Sequence, residues 1–320
     1  MFARERGIGL VPEDGSGATP PPLPLDAWED TKETLHRYAQ VVGKIRLANA
    51  PFKNHWWHVT LYVGARGLTT GPIPYGRTNF EVELDLLNNR LEARTGTGGS
   101  FGFALDDLAV ADFYGKLVDG LAALGVDVSI DTRPFDLDDE EPLDRNYLHR
   151  ACDREYTRRY WRLLVWVNGV LEAFAGRFNG KQSPVHLFWH SFDLALARFS
   201  GSRAPERDGA DPVTREAYSH EVISFGFWPG DRNVREPTFY SYTAPEPPGL
   251  TDQPLAPASA GWLPEGGTAT LSYEDVRLSD SPEGTLLDFF QSAYLAGART
   301  AGWDEEALRT RAAPEPESGG

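Results

Sequence analysis

Apolar residues recur at helical spacing through Leu35, Tyr38, Val41, Val42, Ile45 and Leu47, and Pro51 follows. The pattern predicts a first helix from about residue 30 to residue 49. The period then changes to two. Trp57, Val59, Leu61, Val63 and Ala65 form one set of alternate positions, and His58, Thr60, Tyr62, Gly64 and Arg66 form the other. That alternation predicts a strand over 57–66 with a core face and a polar face. Strands are predicted again at 79–87 and 90–95, joined as a hairpin by Asn88-Asn89, and at 100–105. An amphipathic helix follows over 108–124, stopped by Gly125, and one more strand at 126–131.

The second half has the same grammar. A long helix over about 153–178 carries Tyr160, Trp161, Leu164, Val167, Leu171 and Phe174 nearly all round its surface, which predicts burial on more than one side. Strands are predicted at 185–199, 220–227, 238–243 and 268–273, and a last helix over about 282–301 with Ser281 as its cap. Within 185–199, His190, Phe192, Leu194 and Leu196 make the apolar set, with Trp189, Ser191 and Asp193 opposite.

Residues repeat as well as pattern. Trp57, His58, Ala65 and Arg66 align without a gap on Trp189, His190, Ala197 and Arg198. Phe80-Glu81-Val82 echoes His220-Glu221-Val222, and Asp112-Phe113-Tyr114 echoes Asp288-Phe289-Phe290. The expected fold is therefore α+β: a tandem duplication of a helix–four-strand–helix unit, with antiparallel sheets, helices packed on one face and a pseudo-two-fold relation between halves. The expected organisation is a disordered arm at 1–24, a first repeat at 25–135, an acidic linker at 136–150, a second repeat at 151–308 and a disordered tail at 309–320.

Composition narrows the function classes. The 320 residues carry a net charge of −16, which argues against nucleic acid and anionic membrane surfaces as partners. No apolar run is long enough for a membrane helix, and the first residues lack a secretory apolar core, so a cytoplasmic location is expected. With Cys152 as the one cysteine, neither an intrachain disulfide nor a thiolate cluster is expected. No dinucleotide or phosphate-loop glycine motif, serine elbow or cysteine signature is present, so no motif names a cofactor.

Three constellations could carry chemistry. His58, His186, His220 and Glu221, with Asp193 on a further segment, combine imidazole and carboxylate groups suited to a general base or to a divalent metal. Their plainer role is as hydrogen-bonded members of an aromatic core. Arg66, Arg198 and Lys181 are cations in an acidic chain, suited to a carboxylate or phosphate or else to internal ion pairs. Trp56, Trp57, Tyr62, Trp189, Phe227, Trp228, Tyr240 and Tyr242 could line a concave site for a planar or sugar-like ligand, or else be ordinary core.

Long stretches carry a further likeness: Gly180-Lys181-Gln182-Ser183-Pro184-Val185-His186, Ser191-Phe192-Asp193-Leu194-Ala195, Ala217-Tyr218-Ser219-His220-Glu221-Val222 and Gly226-Phe227-Trp228-Pro229-Gly230. In these, and around Trp57-His58 and Arg66-Gly67-Leu68-Thr69-Thr70, the chain resembles DUF5996, a bacterial domain of unknown function, over roughly residues 25–308. The resemblance implies no activity. The leading expectation is a small-molecule ligand bound between two duplicated halves through Arg66, Trp57, Lys181, His186, Asp193 and Trp228. A metal-assisted or histidine-based hydrolase using His58, His220 and Glu221 is one alternative. A protein–protein interaction module using the sheet edges is another.

Overall fold

The computed structural model describes residues 19–310 except Asp138 and Arg207. Most of the arm expected at 1–24 and of the tail expected at 309–320 lies outside the described residues. The last part of the arm is packed: Leu23 is buried in the core, and Tyr273 Oη donates to the Pro21 carbonyl at 2.7 Å.

The first half begins with helix α1 (Glu29–Asn49), buried along most of its circumference. Six short strands follow: β1 (Tyr62–Val63), β2 (Gly67–Thr69), β3 (Ile73–Tyr75), β4 (Thr78–Asp85), β5 (Arg90–Thr95) and β6 (Ser100–Ala104). Helix α2 (Val110–Ala123) closes the half. The second half opens on α3 (Arg154–Ala175), capped by Asp153, whose side chain accepts from the Glu155 and Tyr156 amides. Then come β7 (His186–Phe188), β8 (Asp193–Arg203), the short helix α4 (Pro212–Ala217), β9 (His220–Trp228), β10 (Thr238–Ala244), β11 (Gly261–Trp262) and β12 (Thr268–Ser272). Helices α5 (Tyr273–Arg277) and α6 (Pro282–Thr300) end the described chain.

The protein is thus α+β, with two antiparallel six-stranded sheets and, among the described residues, six α-helices. The first sheet runs β1-β2-β4-β5-β6, with β3 beside β4. The second runs β7-β8-β9-β10-β12-β11. The two meet edge to edge: Leu61 and Leu187 exchange both backbone hydrogen bonds, at 2.9 and 2.7 Å. Reading outward from that bridge, each sheet is a near-sequential meander.

Alternation decides which face each strand buries. In the second sheet Leu194, Leu196, Ile223, Phe225, Phe227 and Phe239 point inward and are fully buried, against α3 and α6. In the first, Val82, Leu84, Leu91 and Ala93 do the same. One contiguous core joins both halves, from Leu23 through Tyr38, Phe113 and Phe174 to Trp303. Helix α1 packs against both α2 and α3.

Several expectations change. Four strands per half become six. The strand expected at 57–66 is confined to Tyr62–Val63: residues 54–56 form a single 3-10 turn, with His55 and Trp56 at φ 54° and 59°. Left-handed backbone at two successive non-glycine residues costs on the order of 1–3 kcal/mol each, and α4 holds it. The His55 amide donates to Glu216 Oε1 at 2.9 Å, and Trp56 Nε1 donates to the Val213 carbonyl at 3.1 Å. The strand expected at 126–131 is irregular. Gly125, at φ 79°, ends α2 by letting the Val126 amide reach back to the Leu121 carbonyl, and the next amide, of Asp127, goes to Tyr75 Oη at 3.0 Å instead of a ladder. The strand expected at 185–199 is broken by a turn at 189–192, with Phe192 at φ 58°.

Candidate functional site

The outer face of the first sheet is an ion-pair ladder. Arg66 lies 3.4 Å from Glu83 and 3.3 Å from Asp85, and Arg94 lies 3.4 Å from Glu83. Arg66 is therefore engaged by carboxylates of its own sheet, away from the other predicted ligand-binding residues.

The outer face of the second sheet gathers most of the others, at opposite ends. At one end Asp193 accepts hydrogen bonds from Ser191 Oγ and Tyr240 Oη. Trp228 terminates β9 opposite Thr238. At the other end Phe199 stacks on His55, with centroids 4.5 Å apart, and Trp57 meets it edge-on at 5.9 Å. Lys181 Nζ lies 4.8 Å from the Phe199 ring centroid and 5.6 Å from that of Trp57. Phe199 lies six residue steps along β8 from Asp193, about 20 Å at the usual rise, so no single ligand of ordinary size spans both ends.

His55 organises the second cluster. Its Nδ1 lies 3.2 Å from the Ala217 carbonyl, an acceptor only, so Nδ1 carries the proton. Nε2 then presents a lone pair, 2.6 Å from Lys181 Nζ. His220 packs edge-on to His55 at 5.4 Å, with its Nδ1 3.1 Å from Ser219 Oγ. Burial, then the Lys181 charge, push both histidines below the usual imidazole range, so they are neutral at pH 7. Burial also lowers Lys181, against the pull of Glu216.

The histidine–carboxylate constellation does not assemble. His58 is buried between Trp56 and Phe52 and accepts the Lys53 amide at 3.2 Å; burial lowers its pKa. Glu221 follows His220 directly on β9, so the two side chains leave opposite faces, and Glu221 accepts from Ser200 Oγ at 2.7 Å. Among the described residues no three His, Cys, Asp or Glu side chains converge to hold a metal ion. His186 is a core histidine. Its Nδ1 lies 3.0 Å from Thr60 Oγ1, and burial, with Arg46 nearby, pushes its pKa down to about 3.

A different arginine lines a cavity. Arg198 is 1% exposed. Its Nη2 donates to the Phe174 carbonyl at 2.5 Å, in the last turn of α3, and its guanidinium lies 3.6 Å from the Phe174 ring centroid, with Phe178 and Tyr294 each within 5 Å. Its Nε has no partner, and no carboxylate among the described residues pairs with it. Burial, with Arg177 adding to it against Tyr294, pushes its pKa down to about 9. Arg198 lines a cavity of about 730 Å³ with Arg177, Arg299, Arg309, Tyr294 and Leu295. The cavity lies wholly within the second half, between the ends of α3 and α6, and not between the halves, where a ligand pocket was expected. Arg299 is paired to Glu305 at 3.0 Å. The signal for this site was in the sequence: Arg198 shares the parity of Leu194 and Leu196, so a strand there must point it inward. His55 gave no such signal, because its partners Glu216 and Ala217 are more than 160 residues away.

The family model for DUF5996, a family of unknown function, matches residues 20–310. The chain belongs to DUF5996. No curated protein and no solved structure matches it. In this DUF5996 chain the match runs across both sheets and their helices, so the Arg198 cavity and the His55–Lys181 cluster both lie inside the family domain. Among the described residues no helix is long and apolar enough to cross a membrane.

Proposed function

We propose that the protein binds a small organic anion in the cavity around Arg198, its carboxylate or phosphate against the guanidinium and its apolar body against Tyr294, Leu295 and Leu308. The observation that carries this reading is a buried guanidinium with no carboxylate paired to it at the wall of an open cavity, whose lining carboxylate, Glu305, is engaged by Arg299. Taking a cation out of water costs several kcal/mol after relaxation, and the Phe174 carbonyl and aromatic rings offset only part of that. An anionic ligand would supply the missing counter-charge, and Arg177 and Arg309 at the rim extend the same sign of field outward. The cavity's volume falls in the range that encloses a small molecule.

Thermal melting of the full chain with phosphate, succinate and phenylacetate, each against sodium chloride of equal ionic strength, tests the reading. Binding at one hundred times Kd raises stability by about 2.7 kcal/mol. The expected result is a saturable rise in Tm for at least one organic anion. It should be lost in Arg198→Lys, which keeps the charge but not the fork, and weakened in the rim variant Arg177→Ser/Arg309→Ser. No rise beyond chloride, or a rise unchanged in both variants, overturns it.

The two halves further support derivation from one duplicated unit, because each meander leads outward from Leu61 and Leu187 in chain order. The Trp57/Trp189 echo is offset from that correspondence: it equates Arg66, in the ion-pair ladder, with the buried Arg198. Superposition of 29–123 on 154–300 decides the matter. Strands overlaying in the order β1/β7, β2/β8, β4/β9, β5/β10 support duplication, and any other order rules it out.

A further inference from the structure

The Lys181–His55 pair is unused by the anion-binding reading. The protein has five lysines, and burial lowers the pKa of Lys44 as well as of Lys181; what sets Lys181 apart is the imidazole nitrogen beside its ammonium. Lys53 and Lys116 are exposed, Lys32 pairs with Glu33 at 2.8 Å, and Lys44 lies buried over the Trp189 ring. Lys181 is half-buried, lies against two aromatic faces and makes its short contact to an imidazole nitrogen instead of a carboxylate. The nearest carboxylate, Glu216, is engaged by the His55 amide, and the other titratable groups facing the cluster are His220 and, beyond it, Arg203.

We propose that Lys181 is a nucleophilic amine that condenses with an aldehyde or ketone, with His55 as its proton acceptor. The tautomer fixed by the Ala217 carbonyl leaves the Nε2 lone pair aimed at the ammonium. Transfer of one proton from Nζ to Nε2 frees the amine lone pair, which attacks the carbonyl carbon. The C–N bond forms as the carbonyl π pair moves to oxygen, and a proton passes from the new C–NH2+ group to that oxygen, which gives a neutral carbinolamine. His55 returns its proton to the hydroxyl as the C–O bond breaks, water leaves, and a protonated imine remains. No oxidant or reductant enters. The aromatic walls of Trp57 and Phe199 favour a carbonyl compound with an apolar or planar body. Burial, which lowers the amine's affinity for a proton, acts in the same direction.

The test is competitive labelling of the full chain with benzaldehyde and cyanoborohydride at pH 7, the lysines being resolved by peptide mass spectrometry. Each unit by which Lys181 lies below an ordinary lysine raises its free-amine fraction about tenfold. The expected result is labelling of Lys181 at least about tenfold faster than of Lys53 and Lys116, converging as pH approaches that of an ordinary lysine amine. His55→Phe, which keeps a ring against Phe199, should remove most of the advantage while near-ultraviolet circular dichroism stays native. Labelling of Lys181 no faster than the two exposed lysines in the folded protein overturns the proposal. An advantage that survives intact in a folded His55→Phe variant overturns the role of His55.

Discussion

The phenol of Tyr240 donates to the carboxylate of Asp193 across the outer face of the second sheet, and it does so over Gly226. A Cβ at residue 226 would stand 2.4 Å from Tyr240 Oη and 2.7 Å from the Leu194 carbonyl. The first neighbour could swing away, but the second is backbone of the adjacent strand. Asp193 is 8% exposed and has hydroxyls as its partners, so loss of either hydroxyl strips a buried carboxylate. Tyr240→Phe should therefore destabilise by about 1–3 kcal/mol, and a cycle with Asp193→Asn should show coupling of at least about 0.5 kcal/mol. Gly226→Ala should cost as much as Tyr240→Phe or more. Urea midpoints at pH 7 measure all four, and additive single effects would show that the bond contributes nothing.

The second sheet was legible because large apolar side chains alternate with polar or small ones, although both parities are buried. Leu194, Leu196, Ile223, Phe225 and Phe227 alternate with Asp193, Ala195, Ser224 and Gly226, and the strands follow that pattern. The hairpin at 79–95 was legible for the same reason. The stretch 54–61 alternates too, yet it is not extended. Here His58 and Thr60 are as buried as Val59 and Leu61, so both parities lie inside. What bends that run is the left-handed backbone at His55 and Trp56, which neither residue prefers. It is imposed by Glu216 and Val213 from α4, a tertiary contact that no local spacing reports. His220 and Glu221 part for a simpler reason: as strand neighbours they leave opposite faces.

Gly43 sets the distance between α1 and the turn that follows β7. A Cβ there would lie 2.1 Å from Trp189 Cδ1 and 2.3 Å from Cγ. The indole cannot retreat freely, since its Nε1 donates to the Val59 carbonyl at 2.9 Å and its ring lies under Lys44. Alanine in mid-helix gains about 1 kcal/mol over glycine from propensity, while overpacking of this kind costs about 1–3 kcal/mol or more. The clash involves a ring fixed at one end, so the second effect wins. Gly43→Ala should lower Tm by several degrees, and an unchanged or raised Tm would mean that the helix and the indole separate without loss.

Cys152 should be a slow thiol. It is half-buried, its Sγ donates to Asn89 Oδ1 at 2.9 Å, and burial raises its pKa above the usual thiol range, with Asp106 adding to the effect. The thiolate is the reactive form, so at pH 7.5 the native protein should react with iodoacetamide more slowly than the urea-unfolded chain, by about tenfold or more. Equal rates in the two states would show that the thiol is open to solvent.

Acid sensitivity should begin well above the carboxylate range, because His36 and His186 are buried neutral. His36 Nε2 lies 3.0 Å from both the Trp189 and His190 carbonyls, so its proton is shared between two acceptors and its buried Nδ1 has no partner. Burial, with Lys32 beside it, pushes the His36 pKa down to about 3, and that of His186 is also about 3. Both lie below the unfolded value near 6.5. Below that value the unfolded chain binds protons that the folded chain refuses, so stability falls as pH drops from 6.5 toward 3 and is fully present above 6.5. Each histidine contributes a slope of about 1.4 kcal/mol per pH unit once the unfolded form is protonated. Between pH 6 and pH 5, above most carboxylate titration, the pair should cost about 2 kcal/mol. His36→Gln retains an N–H donor for the two carbonyls and cannot titrate. In that variant the difference in unfolding free energy between pH 6 and pH 5 should shrink by about 1 kcal/mol, and an undiminished difference would place the acid-sensitive group elsewhere.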